Sequence, residues 1–356
     1  MRKTPLYPVH KSLKAKFVEF AGFQMPIQFT SILDEAKTVR QKVGIFDVSH
    51  MGRIFVEGPD AEKFLNYLTT NNVEKLEPFD VQYSLILNPR GGVIDDITVY
   101  KFSNHRFMLC VNAANKEEVL NHLNQYKEKF NVEITDKSEE LIQFALQGPE
   151  ASRLLEKYIP EVSKLKYYTF LSDGDLLVSR TGYTGEDGFE VYIPASEGIE
   201  LYKKLIADGA KPCGLGARDV LRIEAGYPLY GHELSAERDP REANLSKFID
   251  LNKDFVGKEA LLEREPKYRL RGLVLSKRQI ARQGDKVFIG ETPIGEVSSG
   301  TYSPNLGKSI ALCFLRRDNL PKEGQTVEVE IRGKRIPATV VKPRFINNIP
   351  KEIFKS

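Results

Sequence analysis

The chain has 356 residues, is 41% hydrophobic and 28% charged, and carries a net charge of +3. That length suits about two or three domains, each able to bury a core without disulfide staples. The small positive excess does not predict a nucleic-acid or membrane-surface partner, and no apolar run approaches the roughly 20 residues that span a bilayer.

The first predicted helix is Ser31–Val43, with Ser31 as cap, Asp34 at the third helical position, one face formed by Ile32, Ala36, Val39 and Val43, and Gly44 as its stop. A strand-like run follows over Ile45–Val56, broken by Ser49-His50-Met51-Gly52. Phe55-Val56-Glu57-Gly58-Pro59-Asp60-Ala61 is echoed by Ala145-Leu146-Gln147-Gly148-Pro149-Glu150-Ala151. Each reads as a strand, a Gly, a Pro at the first helical position and an acidic first turn. The echo marks either two related α+β units or merely a common way of starting a helix.

Gln82–Leu87, Val93–Phe102 and Phe107–Val111 read as strands joined by turns, and Asn115-x-x-Glu118 as a capping box opening a helix through Tyr126. Leu176–Arg180 and Phe189–Ile193 read as strands around a glycine-rich loop, and Glu197–Ala207 and Ala217–Ala225 as helices. Lys258–Arg271 reads as a linker, after which short strands and Gly/Pro/Asn turns suggest an all-β barrel or sandwich.

Two nucleotide motifs are only apparent. Gly307-Lys308-Ser309 lacks the upstream glycine of a phosphate loop and precedes a strand, so it reads as a turn. Gly214-Leu215-Gly216 lacks the third glycine and the βαβ context of a dinucleotide site. Cys110, Cys213 and Cys313 are odd in number and far apart, as reduced buried thiols in a cytoplasmic protein would be. The five histidines show no zinc spacing, so no metal is expected. The basic start has no apolar region behind it, and export is not expected.

Three segments carry possible chemistry. Strand alternation sends Asp95 and Asp96 to opposite faces, one wet and one pointing into a covered cavity where burial raises its pKa; the plain alternative is an acidic turn with both side chains wet. In Arg180–Glu190, glycines allow close approach to a ligand, Tyr183 can stack on a heterocycle, and Glu190 can accept from a donor pair such as an aminopyrimidine edge. The alternative is a tight hairpin with charged tips. Arg218 and Arg222 share a helix face that can bind a carboxylate, or can form surface ion pairs.

Taken in order, Phe20–Pro26, Gly44–Gly52, Gly91–Asp96, Val111–Asn115, Gln147–Pro149, Arg180–Glu190, Gly214–Gly226, Leu229–Leu234, Asn252–Leu261 and Gly307–Ala311 resemble the T-protein (aminomethyltransferase) family of the glycine cleavage system. The resemblance covers roughly residues 3 to 315. It implies an α+β, three-domain cloverleaf around a cavity, with antiparallel sheets in both α+β domains. Residues 1–52 and 137–265 would form a discontinuous folate-binding domain, 53–136 an inserted α+β domain, and 266–356 a C-terminal β-barrel. It further implies transfer of a methylene from the aminomethylated lipoyl arm of H protein to tetrahydrofolate, giving 5,10-methylenetetrahydrofolate and ammonia, by a chain monomeric on its own. Asp96 falls on the family's catalytic position, Glu190 on its pterin-contacting Glu and Arg222 on its folate-binding Arg. Met51, Tyr83, Tyr100, Asn112 and Tyr183 match cavity-lining positions.

The chain departs from the pattern where the family often has Trp: it has Phe23 in one place and Lys247 or Phe248 in another. Arg344 and Phe345 are candidate tail contacts to the folate. A basic tail with Lys334, Arg335, Lys342 and Arg344 is either part of an acidic partner's docking surface or a solvated face. The competing functions are a tetrahydrofolate-dependent demethylase and a non-catalytic folate-binding paralogue. The latter carries a Cys motif where this chain reads Ala225–Glu233, without Cys.

Overall fold

The computed structural model describes residues 1–356. Helix α1 (Tyr7–Ser12) leads into a hairpin of β1 (Lys16–Phe20) and β2 (Phe23–Gln28). Helix α2 (Ile32–Gln41) begins as expected, with Ser31 accepting from the Asp34 amide, but ends at Gln41 rather than Val43. Gly44 is therefore not its stop; it opens strand β3 (Gly44–Asp47). Glycine is required there for space, because a Cβ would lie 2.6 Å from Val39 Cγ2 and 2.8 Å from Cys213 Sγ.

The chain then builds a five-stranded antiparallel sheet. Strand β4 (Gly52–Glu57) and helix α3 (Ala61–Leu68) precede a meander of β5 (Val81–Leu87), β6 (Val93–Ser103) and β7 (Arg106–Val111). Helix α4 (Lys116–Tyr126) and strand β8 (Glu133–Asp136) complete it, in the order β5-β6-β7-β4-β8. Its core packs Ile54, Phe64, Leu65 and Leu109 between sheet and helices.

Strand β9 (Leu141–Gln147) returns the chain to the sheet of β3. It is followed by α5 (Ala151–Leu155), β10 (Phe170–Asp173), β11 (Leu176–Ser179), β12 (Gly188–Pro194), α6 (Ala195–Ala207) and β13 (Lys211–Cys213). The order is β10-β11-β12-β9-β3-β13. This sheet is not wholly antiparallel as expected: β13 pairs with β3 in parallel. A parallel pair needs a crossover connection, and helix α6 carries the chain to that edge.

The sequence echo is a structural repeat. Gly58 and Gly148 adopt φ of +139° and +134°. A Cβ on either would lie 2.4 Å from a backbone oxygen, of Asn131 and Lys42 respectively. Asp60 and Glu150 occupy the N-cap positions, so each proline stands two residues before the first helical residue rather than at it.

Helix α7 (Leu215–Ala225) packs on α2, β2 and the barrel. The stretch Lys258–Arg271 is no linker: it forms helix α8 (Lys258–Glu263) and the start of β14 (Tyr268–Leu275). Helix α8 is held because the turn before β6 packs against it, with a Cβ at Gly91 only 2.9 Å from the Leu261 amide nitrogen. Strands β15 (Lys286–Ile289), β16 (Thr292–Ser303), β17 (Lys308–Arg316), β18 (Thr326–Ile331) and β19 (Lys334–Val341) close a six-stranded barrel with β14. The Gly307-Lys308-Ser309 motif lies at the β16–β17 hairpin. The fold is thus α+β with a C-terminal barrel, and no helix is long and apolar enough to cross a membrane.

Candidate active site

A cavity of about 580 Å3 opens where both sheets, helix α7 and the barrel meet. Tyr83, Asp96, Asn112, Tyr183, Glu190, Arg222 and Met51 all line it. Tyr100 does not. It is fully buried behind the wall, with its hydroxyl 2.7 Å from that of Tyr192, so the expected cavity-lining role of Tyr100 is corrected.

Asp95 and Asp96 sit on β6 beside a bulge: Ile86 pairs with Asp95 and Leu87 with Val93, leaving Ile94 unpaired. Asp95 is fully buried where the alternation expected a wet side chain, while Asp96 is half-buried and faces the cavity. Both converge on Asn112, just beyond the end of β7, whose Nδ2 donates to Asp95 Oδ1 (2.7 Å) and Asp96 Oδ1 (2.8 Å). Asp95 also accepts from the Asn112 backbone amide (2.9 Å) and Asn115 Nδ2 (2.8 Å). Asn115 occupies the N-cap position of α4, yet its side chain makes no capping bond; the expected capping box gives way to Asp95.

Tyr83 donates its hydroxyl to Asp96 Oδ2 at 2.9 Å. Burial, then the charge of Asp96, pushes the Asp95 carboxyl up to about 8. Burial likewise raises Asp96, and the phenol of Tyr83 rises for the same reason, aided by Asp96. Asp96 is therefore a carboxyl held above the ordinary carboxylate range by burial, with one oxygen on a phenol and the other on an amide.

The Arg180–Glu190 loop is held from within. Arg180 forks onto Asp187, with Nε 2.9 Å from Oδ1 and Nη2 2.8 Å from Oδ2. Glu186 pairs with Arg40 at 2.8 Å. That leaves Glu190 as the loop's acid facing the cavity. The Tyr183 ring stacks with that of Tyr227, centroids 5.9 Å apart, and the Arg218 guanidinium lies 4.7 Å from its centroid.

The two arginines of α7 diverge in role. Arg222 reaches the wall, but its Nε donates to Asp219 (2.8 Å) and its Nη1 to Glu233 (2.7 Å) and Tyr227 O (3.2 Å). Its Nη2 donates to Ser299 Oγ at 2.8 Å. Arg218, like the more exposed Arg282 at the cavity's barrel side, has no carboxylate within ion-pair distance, so both remain available to an anion. Glu224 faces elsewhere, receiving Arg40 at 3.0 Å and Ser303 Oγ.

Sequence reasoning missed His50 and Tyr168, both on the cavity wall. His50 is buried between Phe20 and Phe23, and its Nδ1 has no partner. Tyr168 carries φ of +61°, a backbone feature no sequence pattern announces. Phe248 packs edge-on against Tyr83, ring centroids 4.7 Å apart, without lining the cavity. Arg344 and Phe345 are not on the wall either. The tail instead crosses α7, with the Phe345 and Ile346 amides donating to Glu224 O, both at 2.8 Å.

Comparison with known proteins bears on these residues. Residues 6–253 match the family described as the GCVT N-terminal domain, and 269–347 the glycine cleavage T-protein C-terminal barrel domain. The chain is 53% identical to the aminomethyltransferase of Aquifex aeolicus, over 97% of this chain and 95% of that protein. Identity to the aminomethyltransferase of Thermus thermophilus is 43%, over 97% and 99%. The crystal structure of glycine cleavage system aminomethyltransferase T from Bartonella henselae is similar with a TM-score of 0.93 and 33% identity, over 99% of both chains.

Proposed function

The chain belongs to the glycine cleavage T-protein family and is an aminomethyltransferase of that system, and from this premise we propose that its cavity takes tetrahydrofolate together with the aminomethylated lipoyl arm of H protein, in the cytoplasm. The observation that carries the reading is the convergence of Asp96, Glu190 and Arg218 on one cavity of about 580 Å3. That volume suits a small-molecule ligand.

The residues present fit the folate. Glu190 offers carboxylate lone pairs to a planar edge bearing two N–H donors, the edge an aminopyrimidine presents. Tyr183, backed by the Arg218 cation, provides a flat apolar flank. Arg218 supplies the charge for a carboxylate, while Arg222 anchors the wall on which Arg218 stands. When bound, tetrahydrofolate takes up the methylene as 5,10-methylenetetrahydrofolate while ammonia departs.

Asp96 holds or moves the proton. Its Oδ2 carries the Tyr83 bond and its Oδ1 the Asn112 bond, so its orientation is fixed before any substrate arrives. His50, at the same wall, stays neutral because burial and the charge of Arg218 lower it to about 3. It is no competing acid near neutral pH.

The test is ammonia release from aminomethylated lipoyl H protein, with and without tetrahydrofolate, for the unaltered chain and Asp96→Asn. Folate-dependent release that collapses in the variant while folate binding persists supports the reading. Folate binding without release from the unaltered chain would bring back the demethylase and the non-catalytic paralogue, neither of which the relatives' names favour.

A further inference from the structure

From Thr181 at the cavity wall to groups buried behind it, side chains from four strands and a loop close a ring of hydrogen bonds on Glu190. Its Oε1 accepts from Thr181 Oγ1 at 2.7 Å, and Thr181 meets Ser179 Oγ at 2.6 Å. Ser179 lies 3.3 Å from the Tyr100 hydroxyl, which lies 2.7 Å from that of Tyr192. Gln143 Nε2 closes the circuit, donating to Tyr192 at 3.2 Å and to Glu190 Oε2 at 3.1 Å.

The direction of every bond in this ring is determined. Arg53 is fully buried, forms no ion pair within 4 Å, and donates Nη1 to Gln143 Oε1 at 3.0 Å. A guanidinium only donates, so Gln143 must turn its carbonyl to Arg53 and its amide hydrogens to the ring. Tyr192 then accepts from Gln143 and passes its own hydrogen to Tyr100. Tyr100 donates to Ser179, Ser179 to Thr181, and Thr181 to Glu190. Donor-only Arg53 and the accepting carboxylate fix the two ends, and no member presents an acceptor to Glu190.

We propose that this Arg53-anchored ring holds Glu190 as an acceptor-only group and thereby makes the cavity select a planar ligand edge with two adjacent N–H donors. The proposal rests on the folate reading of the cavity. Thr181, Gln143, Ser179, Tyr100 and Tyr192 are positioning residues that act through Glu190. Tyr100 thus has a task in the ring rather than on the ligand. A ligand lacking one donor leaves a carboxylate lone pair desolvated and unpaired, which is where discrimination arises.

Thr181→Val, Thr181→Ser and Gln143→Glu separate this role from mere structure. The readouts are KM for tetrahydrofolate and kcat in the ammonia assay, with calorimetric Kd values for tetrahydrofolate and its 2-desamino analogue. Thr181→Val is expected to raise KM and Kd about tenfold with kcat within about twofold, and to shrink the preference over the analogue similarly. Thr181→Ser restores both. Gln143→Glu keeps its size and its Arg53 contact but removes the donor from Glu190, and weakens binding about 100-fold. Unchanged KM and analogue preference in Thr181→Val and Gln143→Glu, even with lowered melting temperatures, would overturn the proposal. Failure of the unaltered chain to bind tetrahydrofolate would overturn the cavity reading itself, and the ring's selectivity with it.

Discussion

Asp95 and Asp96 share one hydrogen-bond donor: Asn112 Nδ2 lies 2.7 Å from Asp95 Oδ1 and 2.8 Å from Asp96 Oδ1. The two carboxyls differ in everything else. Asp95 is fully buried and receives two further N–H groups, from the Asn112 backbone and Asn115. Asp96 faces the cavity and receives a phenol. Asp95 therefore fixes Asn112, and Asn112 fixes Asp96, so adjacent acids in the sequence form a support and a working group.

Asp96→Asn is expected to lower kcat by about 100- to 1000-fold, the range of a general acid–base contribution, with folate KM changed only a few-fold. Asn112→Ala leaves Asp96 in place but loosens it, and a loss of about 10- to 100-fold in kcat is expected. Steady-state ammonia release measures both. An Asn112→Ala enzyme with unaltered kcat would show that Asp96 needs no orientation from this side.

Stability should respond to pH in opposite senses at two sites. The Asp95 carboxyl is raised from 3.8 to about 8, so the native state binds more protons than the unfolded one in between, and stability falls as pH rises from about 4 to 8. His50 is lowered from 6.5 to about 3, so stability falls as pH drops through that window. Melting curves from pH 3 to 9 should show His50→Asn removing the loss on acidification below about pH 6.5 and Asp95→Asn removing the decline between about pH 4 and 8. Parallel curves for variant and unaltered chain would contradict the respective assignment.

Gly226→Ala is expected to free the C-terminal tail. Gly226 ends α7 with φ of +77°, and a Cβ there would lie 1.7 Å from Pro343 O. The left-handed conformation alone costs a non-glycine residue roughly 1–2 kcal/mol, and the clash must move Pro343. Limited proteolysis should cut the variant beyond residue 343 faster than the unaltered chain. Equal cleavage rates would mean the tail is held elsewhere, for instance by Ile353 O accepting from the Tyr167 amide at 2.7 Å.

Arg40→Met is expected to destabilise the protein by about 3–5 kcal/mol, the cost of stranding buried charges. Arg40 sits between Glu186 (2.8 Å) and Glu224 (3.0 Å), all three nearly excluded from solvent. A triple variant with Glu186→Gln and Glu224→Gln should recover much of that loss in denaturant unfolding. No recovery would place the cost in packing rather than charge.

Local chemistry settled much of this protein in advance. Ser31 with Asp34, the paired Gly-Pro-acid starts at Gly58 and Gly148, and the short strands of the C-terminal barrel follow from capping, backbone freedom and period-two patterning, which depend on near neighbours. The cavity positions of Asp96, Glu190, Tyr83 and Tyr183 were legible because several short motifs recur together in order. Tertiary structure decided the rest, because it depends on what distant segments bring. Only the bulge at Ile94 and the end of β7 bring Asp95 and Asp96 to one amide. Only the acceptors Asp219, Glu233 and Ser299 gathered around Arg222 leave Arg218, not Arg222, without an ion-pair partner. Only the facing of two sheets turns Tyr100 away from the cavity and into a ring that closes on Glu190. Hydrogen-bond partners brought together by strand pairing and packing, from Thr181 and Glu190 nine residues apart to Tyr100 and Tyr192 92 apart, leave no local pattern, so which polar groups are satisfied and which remain for a ligand is a property of the fold alone.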